Sequence, residues 1–232
     1  MLILILKKKK IISLGVSINK IKVIYPAVDS MNLDYKKDKS FLKKYKKYAP
    51  ILLTIARLEK RKNHKQIIFA VKDLIKDFKN LLYLVAGDGP ELKQICKTID
   101  KLNLKKNVKI LGNVSEKDKA SLYKLSDLHI MPTIKDMKSL SIEGFGISYI
   151  EAAMFGIPSV SSGLGGTKES IVNGKTGIIC NPNNVSSITN SIKKVLINKK
   201  NMSANCKRFS QRFLWKNVIL NYLKLIKKDF KK

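Results

Sequence analysis

Short apolar runs alternate with longer segments of helical period along most of this 232-residue chain. The runs are rich in Ile, Leu and Val, and a polar loop separates each run from a segment whose apolar residues recur on one helical face. A strand covered on both faces is continuously apolar, whereas the helix that connects two such strands is apolar on one side only. We therefore predict an α/β fold in which helices cover both faces of a parallel sheet.

The sequence places six strands and several helices by this pattern. The predicted strands are 51–56, 81–86, 108–111, 128–131, 159–161 and 176–179, with one further strand at 20–24. Predicted helices lie at about 67–78, 146–155, 185–197 and 209–226. Pro90 is suited to the first position of another helix, and Ser115 with Asp118 forms a capping box for the next one.

The charge of the chain is strongly positive, with 47 basic and 17 acidic residues and a formal net charge of +30. Such a charge attracts nucleic acids, anionic membranes and phosphorylated ligands. Only four of the basic residues are arginine, and the lysines are spread along the whole chain. Because base and phosphate recognition tends to use arginine, we expect a solvated lysine-rich surface and no nucleic-acid partner.

The N-terminal apolar run, Met1–Leu6, is too short to span a membrane. A signal peptide carries its positive charge before the apolar run, whereas here the lysines of 7–10 come after it. Cys96, Cys180 and Cys206 are far apart, which favours free thiols and no metal site. We expect a cytoplasmic protein whose basic surface can touch anionic lipid at the inner membrane face.

Arg57 and Lys62 follow the strand at 51–56, and ligands of parallel sheets bind outside the carboxyl ends of the strands. This loop contains no glycine, so cations rather than backbone amides would hold an anion there. Taken alone, the loop is better explained as a solvated basic loop.

Eight of the twelve glycines lie between Gly144 and Gly177, so a binding site is expected in this stretch. Glu143 and Glu151 flank a turn that opens an apolar helix, and free N–H groups at a helix N-terminus suit a phosphate. Glu151 can accept hydrogen bonds from vicinal hydroxyls such as those of a ribose. Without further context, a structural explanation fits equally well: Glu143 is stabilised by the helix dipole, and Glu151 is a surface residue.

Several short motifs occur in a fixed order along the chain. They lie at 57–62, 86–91, 111–115, 143–151, 155–160, 165–169 and 173–177. In this order they resemble the donor-binding half of glycosyltransferases with the GT-B fold, family 4 in particular, from about Ile21 to the C-terminus. One departure is Asn63, which stands where the family commonly has glycine after the loop lysine.

The resemblance implies a Rossmann-like domain that forms the C-terminal half of a GT-B fold. It also implies a retaining transferase that moves a sugar from a nucleoside diphosphate sugar to an acceptor glycan or lipid, with no cofactor and no metal. By position, Arg57 and Lys62 neutralise the departing diphosphate and Glu143 contacts the donor sugar. The resemblance further implies that Glu151 contacts the ribose and that Gly112 to Val114 border the base. It implies phosphate contacts for Gly144, Phe145, Gly146 and Ile147.

The resemblance also implies a division of the chain. Residues 1–30 are expected to be a remnant of a missing N-terminal domain, and 31–208 the nucleotide-sugar-binding domain. Residues 209–232 are expected to form a helix that crosses to the missing domain and here exposes an apolar face. We favour a fragment of a longer enzyme, which need not be active alone. The alternative, a non-catalytic nucleotide-sugar-binding subunit that needs a partner chain, stays open.

Overall fold

The computed structural model describes residues 2–3, 8, 11–29 and 43–229. Lys7, Lys9 and Lys10 of the N-terminal lysine run and the predicted domain edge at 31 lie outside the described residues. β1 (Leu2–Ile3) and β2 (Lys22–Val23) form a separate two-stranded parallel sheet. The main sheet has the order β5-β4-β3-β6-β7-β8 and is parallel throughout. Its strands are β3 (Ile51–Ile55), β4 (Leu82–Ala86), β5 (Val108–Gly112), β6 (Leu128–Met131), β7 (Ser159–Ser161) and β8 (Gly177–Ile179).

In the described part of the chain, six α-helices connect or follow the strands of the main sheet. They are α1 (His64–Leu74), α2 (Leu92–Lys101), α3 (Glu116–Leu125), α4 (Ile147–Met154), α5 (Val185–Ser210) and α6 (Trp215–Asp229). The capping box is present, because the Asp118 amide donates to Ser115 Oγ at 3.1 Å. The helix predicted to open at Pro90 begins two residues later.

The two C-terminal helices differ from the prediction. α5 does not end near residue 197 but runs for 26 residues to Ser210, and α6 begins only at Trp215. The buried face of α5 includes Ile188 and Val195 and continues through Met202 and Cys206. The polar residues between Val195 and Cys206 therefore lie on the outer face of one continuous helix.

Helices cover both faces of the sheet, as predicted. One core cluster joins the sheet to α1, α2 and α5, with Leu52, Val71 and Ile192 among its members. A second cluster joins the opposite face to α3 and α4, through Leu122 and Ala152. The architecture is therefore a Rossmann-like α/β sandwich.

A third, smaller cluster ties the chain before the sheet to the chain after α5. Val28 and Phe213 pack with Phe145, which lies in the loop before α4. The Val28 amide donates to the Phe213 carbonyl at 2.8 Å, and the Tyr25 and Phe145 rings lie 5.8 Å apart. The loop before α4 is therefore packed against residues that do not belong to the main sheet. Within the described residues, no helix combines the length and apolar character needed to cross a membrane.

Candidate functional site

The loops after β3 and β6 meet because these two strands are neighbours in the sheet. Lys62 comes from the first loop, and Glu143 lies at the end of the second, three residues before the Gly146 cap of α4. Lys62 Nζ and Arg61 Nη1 both contact Glu143 Oε2. The predicted cation and the predicted carboxylate therefore lie together at the carboxyl edge of the sheet.

This cluster is shielded from water. The side chains of Lys62 and Glu143 are 9% and 11% exposed. Burial lowers the pKa of Lys62, and the neighbouring Glu143 charge offsets only part of that effect. Burial alone would raise the pKa of Glu143, but Lys62 and Arg61 outweigh it and hold that pKa below its usual range. Glu143 is therefore an ionised carboxylate at neutral pH.

Arg57, the other predicted cation, lies further out, with 72% of its side chain exposed. Arg57 Nε is 3.5 Å from Glu59 Oε1, and Glu59 Oε2 is 2.8 Å from Arg61 Nε. Arg57 is therefore linked to the buried pair through Glu59 and Arg61, and it does not contact Glu143 itself.

Asn63 ends the turn that carries Lys62 and caps α1 in a left-handed conformation, with φ of 63°. Its side-chain amide donates to the carbonyls of Pro132 and Pro182 at 3.0 and 2.8 Å. Asparagine tolerates this backbone region better than most residues, and glycine does so at no steric cost. The conformation is one that asparagine or glycine can adopt, which explains why asparagine can stand at a position where the resemblance implies glycine.

The glycine pair at 165–166 supports the loop that carries Glu143. The Gly166 amide donates to the Glu143 carbonyl at 3.0 Å. A Cβ on Gly166 would lie 1.7 Å from the Gly144 carbonyl oxygen, and a Cβ on Gly165 would lie 2.5 Å from that of Glu143. No side chain fits into this contact, so the two loops can pack backbone to backbone only because both residues are glycine.

The start of α4 follows directly. Gly146 caps the helix with φ of 80°, and the side chain of Ile147 is exposed beside it. The ring of Phe145 is buried in the third cluster, and its carbonyl accepts from Ser170 Oγ at 2.8 Å. The roles predicted for Gly144, Phe145, Gly146 and Ile147 toward phosphates remain predictions.

Glu151 lies one turn into α4 and is held by two partners from α3. Tyr123 donates its hydroxyl to Glu151 Oε2 at 2.9 Å, and Lys119 Nζ lies 3.2 Å from Oε1. Burial alone would lower the pKa of Lys119, but Glu116 and Glu151 raise it above its ordinary value. Burial raises the pKa of Tyr123, and the Glu151 charge raises it further. Both partners are therefore protonated and donate to Glu151.

A cleft of about 280 Å³ lies beside Lys119 and Arg57, and Val114 is among the residues that line it. The roles predicted for Gly112 and Val114 toward the base remain predictions. Gly112 ends β5 with φ of 68°, and its carbonyl accepts from the Gly87 amide at 2.7 Å. Lys119 belongs to this cleft and also contacts Glu151, so the cleft lies next to Glu151.

Four residues that contact the predicted ones are not predicted from the sequence: Glu59, Arg61, Lys119 and Tyr123. The alternation of Arg57, Glu59 and Arg61 is visible in the sequence as a signal for ion pairing. The Lys119 and Tyr123 contacts cross from α3 to α4, and nothing local in the sequence indicates them. Across the described ranges, no group of three His, Cys, Asp or Glu residues is placed to hold a metal ion.

The model of the family described as glycosyl transferases group 1 matches residues 35–213. A GDP-mannose-dependent alpha-(1-6)-phosphatidylinositol monomannoside mannosyltransferase of Mycolicibacterium smegmatis is 26% identical over 155 residues, which are 67% of this chain and 41% of that protein. A 2-deoxystreptamine N-acetyl-D-glucosaminyltransferase of Niallia circulans is 29% identical over 147 residues, which are 63% of this chain and 36% of that protein. The chain thus spans about two fifths of the length of these curated relatives.

Solved structures show the same fold. A glycosyltransferase from Rickettsia africae superimposes with a TM-score of 0.86 at 22% identity, over 99% of this chain and 63% of that one. HepE of Anabaena, solved in complex with UDP and glucose, superimposes with a TM-score of 0.80 at 22% identity, over 95% of this chain and 60% of that one.

Proposed function

Because the chain belongs to the family of glycosyl transferases group 1, we propose that it forms the donor-binding part of an enzyme that transfers a sugar from a nucleoside diphosphate sugar to an acceptor. The observation that carries the proposal is the contact of Lys62 and Arg61 with Glu143, three residues before the cap of α4. A diphosphate needs cations and N–H donors, and sugar hydroxyls need an acceptor. This edge of the sheet supplies all three.

In the proposed reaction, the bond between the sugar and the diphosphate breaks, and negative charge grows on the departing diphosphate. Lys62 and Arg57 would stabilise that charge, and the buried position of Lys62 strengthens its effect. Glu143 would accept hydrogen bonds from the donor sugar. Glu151, fixed by Tyr123 and Lys119, would accept from the ribose hydroxyls.

The same proposal extends to the stereochemical outcome, the acceptor and the location of the enzyme. The resemblance to family 4 supports a retaining outcome and a phosphate site held by cations without a metal. The acceptor, a glycan or a lipid, would bind through parts of the enzyme that lie outside this chain. The mycobacterial relative is named for a phosphatidylinositol acceptor, and a net charge of +30 suits an anionic membrane surface. We therefore propose a cytoplasmic enzyme with peripheral membrane contact.

Calorimetry with UDP-glucose, GDP-mannose and ADP-glucose tests the proposal. We expect one of these donors to bind, and Glu151→Gln to weaken that binding about tenfold or more, because charge-assisted hydrogen bonds to the ribose become neutral ones. Asp77→Asn is the matched control, since Asp77 lies on the surface and pairs with Lys193 at 2.6 Å.

Absence of binding by all three donors would contradict donor recognition. Equal binding by the wild type and Glu151→Gln would remove the assigned ribose contact. Donor binding without donor hydrolysis, with transfer restored only by a partner chain, would instead favour the non-catalytic subunit.

A further inference from the structure

Five charged side chains form an alternating series at the site. Arg57 contacts Glu59, Glu59 contacts Arg61, Arg61 contacts Glu143, and Glu143 contacts Lys62. Arg61 stands in the middle and is the member that touches both carboxylates, through Nε on one side and Nη1 on the other. It therefore links the outer cation to the buried pair.

Arg61 determines the net charge of the series. Three cations and two carboxylates leave one net positive charge, which attracts a diphosphate. Without Arg61, two cations face two carboxylates and the series is neutral. In addition, Glu143 would then have Lys62 as its only cation in the series. Lys62 would be more fully neutralised at the position where phosphate charge develops.

From this arrangement we propose that Arg61 is a positioning residue for donor binding. It offsets the charge of Glu143 so that Lys62 remains available to the diphosphate, and it holds Glu143 toward the donor sugar. Both cations contact Oε2, which leaves Oε1 available as an acceptor for sugar hydroxyls. This inference rests on the proposed function, because it assumes that a nucleoside diphosphate sugar binds at this site.

The guanidinium group is suited to this role in a way that an ammonium group is not. Arg61 reaches Glu59 and Glu143 with two different nitrogens of one rigid plane. A lysine at this position would keep the charge but would bridge the two carboxylates poorly. The charge effect and the positioning effect can therefore be separated by substitution.

The experiment measures the affinities of UDP and UDP-glucose, or of the diphosphate and sugar donor found in the calorimetric survey, for the full chain. We expect Arg61→Gln to weaken diphosphate binding about tenfold, because the series loses its net positive charge. Adding Glu143→Gln to this variant should restore diphosphate affinity to within about threefold of the wild type, because the same net charge returns.

Arg61→Lys separates the two effects. It should keep diphosphate affinity within about threefold of the wild type, yet lose most of the difference in affinity between the sugar-linked and sugar-free nucleotide. Lys60→Gln is the matched control, because Lys60 lies in the same turn and is exposed. Its loss should change affinity by less than about twofold, since exposed charges are screened.

The possible outcomes distinguish the inference from the proposed function. If the wild type binds no nucleoside diphosphate, the proposed function fails and the role of Arg61 fails with it. If the wild type binds and Arg61→Gln binds within twofold of it, only the role of Arg61 is overturned. A weakened Arg61→Gln that Glu143→Gln does not rescue overturns it as well. Should Arg61→Gln not fold, Arg61→Lys decides, and a tenfold loss of diphosphate affinity in that variant counts against the charge role.

Discussion

Two histidines are buried on opposite faces of the sheet, and each is held in its neutral form. Thr54 donates its hydroxyl to the Ile130 carbonyl, so Tyr83 donates to Thr54 and His64 Nδ1–H donates to the Tyr83 oxygen at 3.1 Å. His129 Nδ1 lies 3.3 Å from Ser159 Oγ. Burial lowers the pKa of His64 to about 4 and that of His129 to about 3, and the positive charge of Lys62 contributes to both shifts.

These shifts predict a loss of stability in mild acid. A histidine whose folded pKa lies below its unfolded value of 6.5 contributes its full stability above about pH 6.5. That contribution is lost as the pH falls toward the folded pKa, at up to about 1.4 kcal/mol per pH unit for each histidine. Urea unfolding at pH 7 and pH 5 should show the loss. His64→Gln should reduce the pH dependence, and an unchanged dependence would contradict this assignment.

At the scale of single residues, the sequence identified the charges but not their pairing. Lys62, Glu143 and Glu151 were predicted from motif order, and the first two do lie in contact. The pairing of Arg61 with Glu143 joins residues 82 positions apart and depends on β3 and β6 being neighbours. Side-chain contacts of this kind follow from tertiary packing, which local spacing does not encode.

At the scale of elements, the contact between Gly166 and Gly144 predicts a sensitive position. Gly166→Ala would place a methyl group against the Gly144 carbonyl, and that oxygen belongs to backbone that cannot move aside cheaply. We expect a loss of roughly 1–3 kcal/mol in the free energy of unfolding, the range for overpacked sites. Donor affinity should fall as well, because the Glu143 loop is displaced.

Gly144→Ala is the control for this prediction, since a Cβ there meets no atom within 4 Å. Thermal unfolding of both variants provides the comparison. Equal melting temperatures for Gly166→Ala and Gly144→Ala would show that the close approach is not a constraint on the loop.

Strands were easier to predict than helix ends. Most of the six strands of the main sheet are short apolar runs with a clear stop, and the predicted bounds of all six lie within about a residue of the observed ones. The end of α5 was missed because residues 198–206 are largely polar and look like a loop. Burial of Met202 and Cys206 decides in favour of helix, and that burial depends on tertiary packing, because Met202 belongs to the first core cluster and Cys206 lies against the Thr176 carbonyl.

At the scale of the whole molecule, α6 presents an apolar stripe to solvent. Its exposed members are Trp215, Ile219, Leu220, Leu223 and Ile226. An apolar surface of this kind favours association in water. We predict that the chain by itself self-associates as its concentration rises, and that Ile219→Gln combined with Leu223→Gln reduces the association.

Sedimentation velocity at two protein concentrations measures this effect. Ile197→Gln is a suitable control, because Ile197 is an exposed apolar residue on α5 outside the stripe. A monomer at every concentration would show that the stripe alone does not drive association. Neither the partner of this surface nor the acceptor can be predicted from the sequence, because the relatives are more than twice as long as the region they share with it.

The length of α5 links the local stability of the two loops that form the candidate site. A helix of 26 residues extends about 39 Å at the usual rise per residue, and it packs against both α1 and α4. α1 follows the turn that carries Lys62, and α4 follows the loop that carries Glu143. One continuous helix therefore contacts both α1 and α4, the two helices that follow the loops of the candidate site. Local unfolding of either helix must break its contacts with α5, so we expect α1 and α4 to exchange their amide hydrogens as a single cooperative unit.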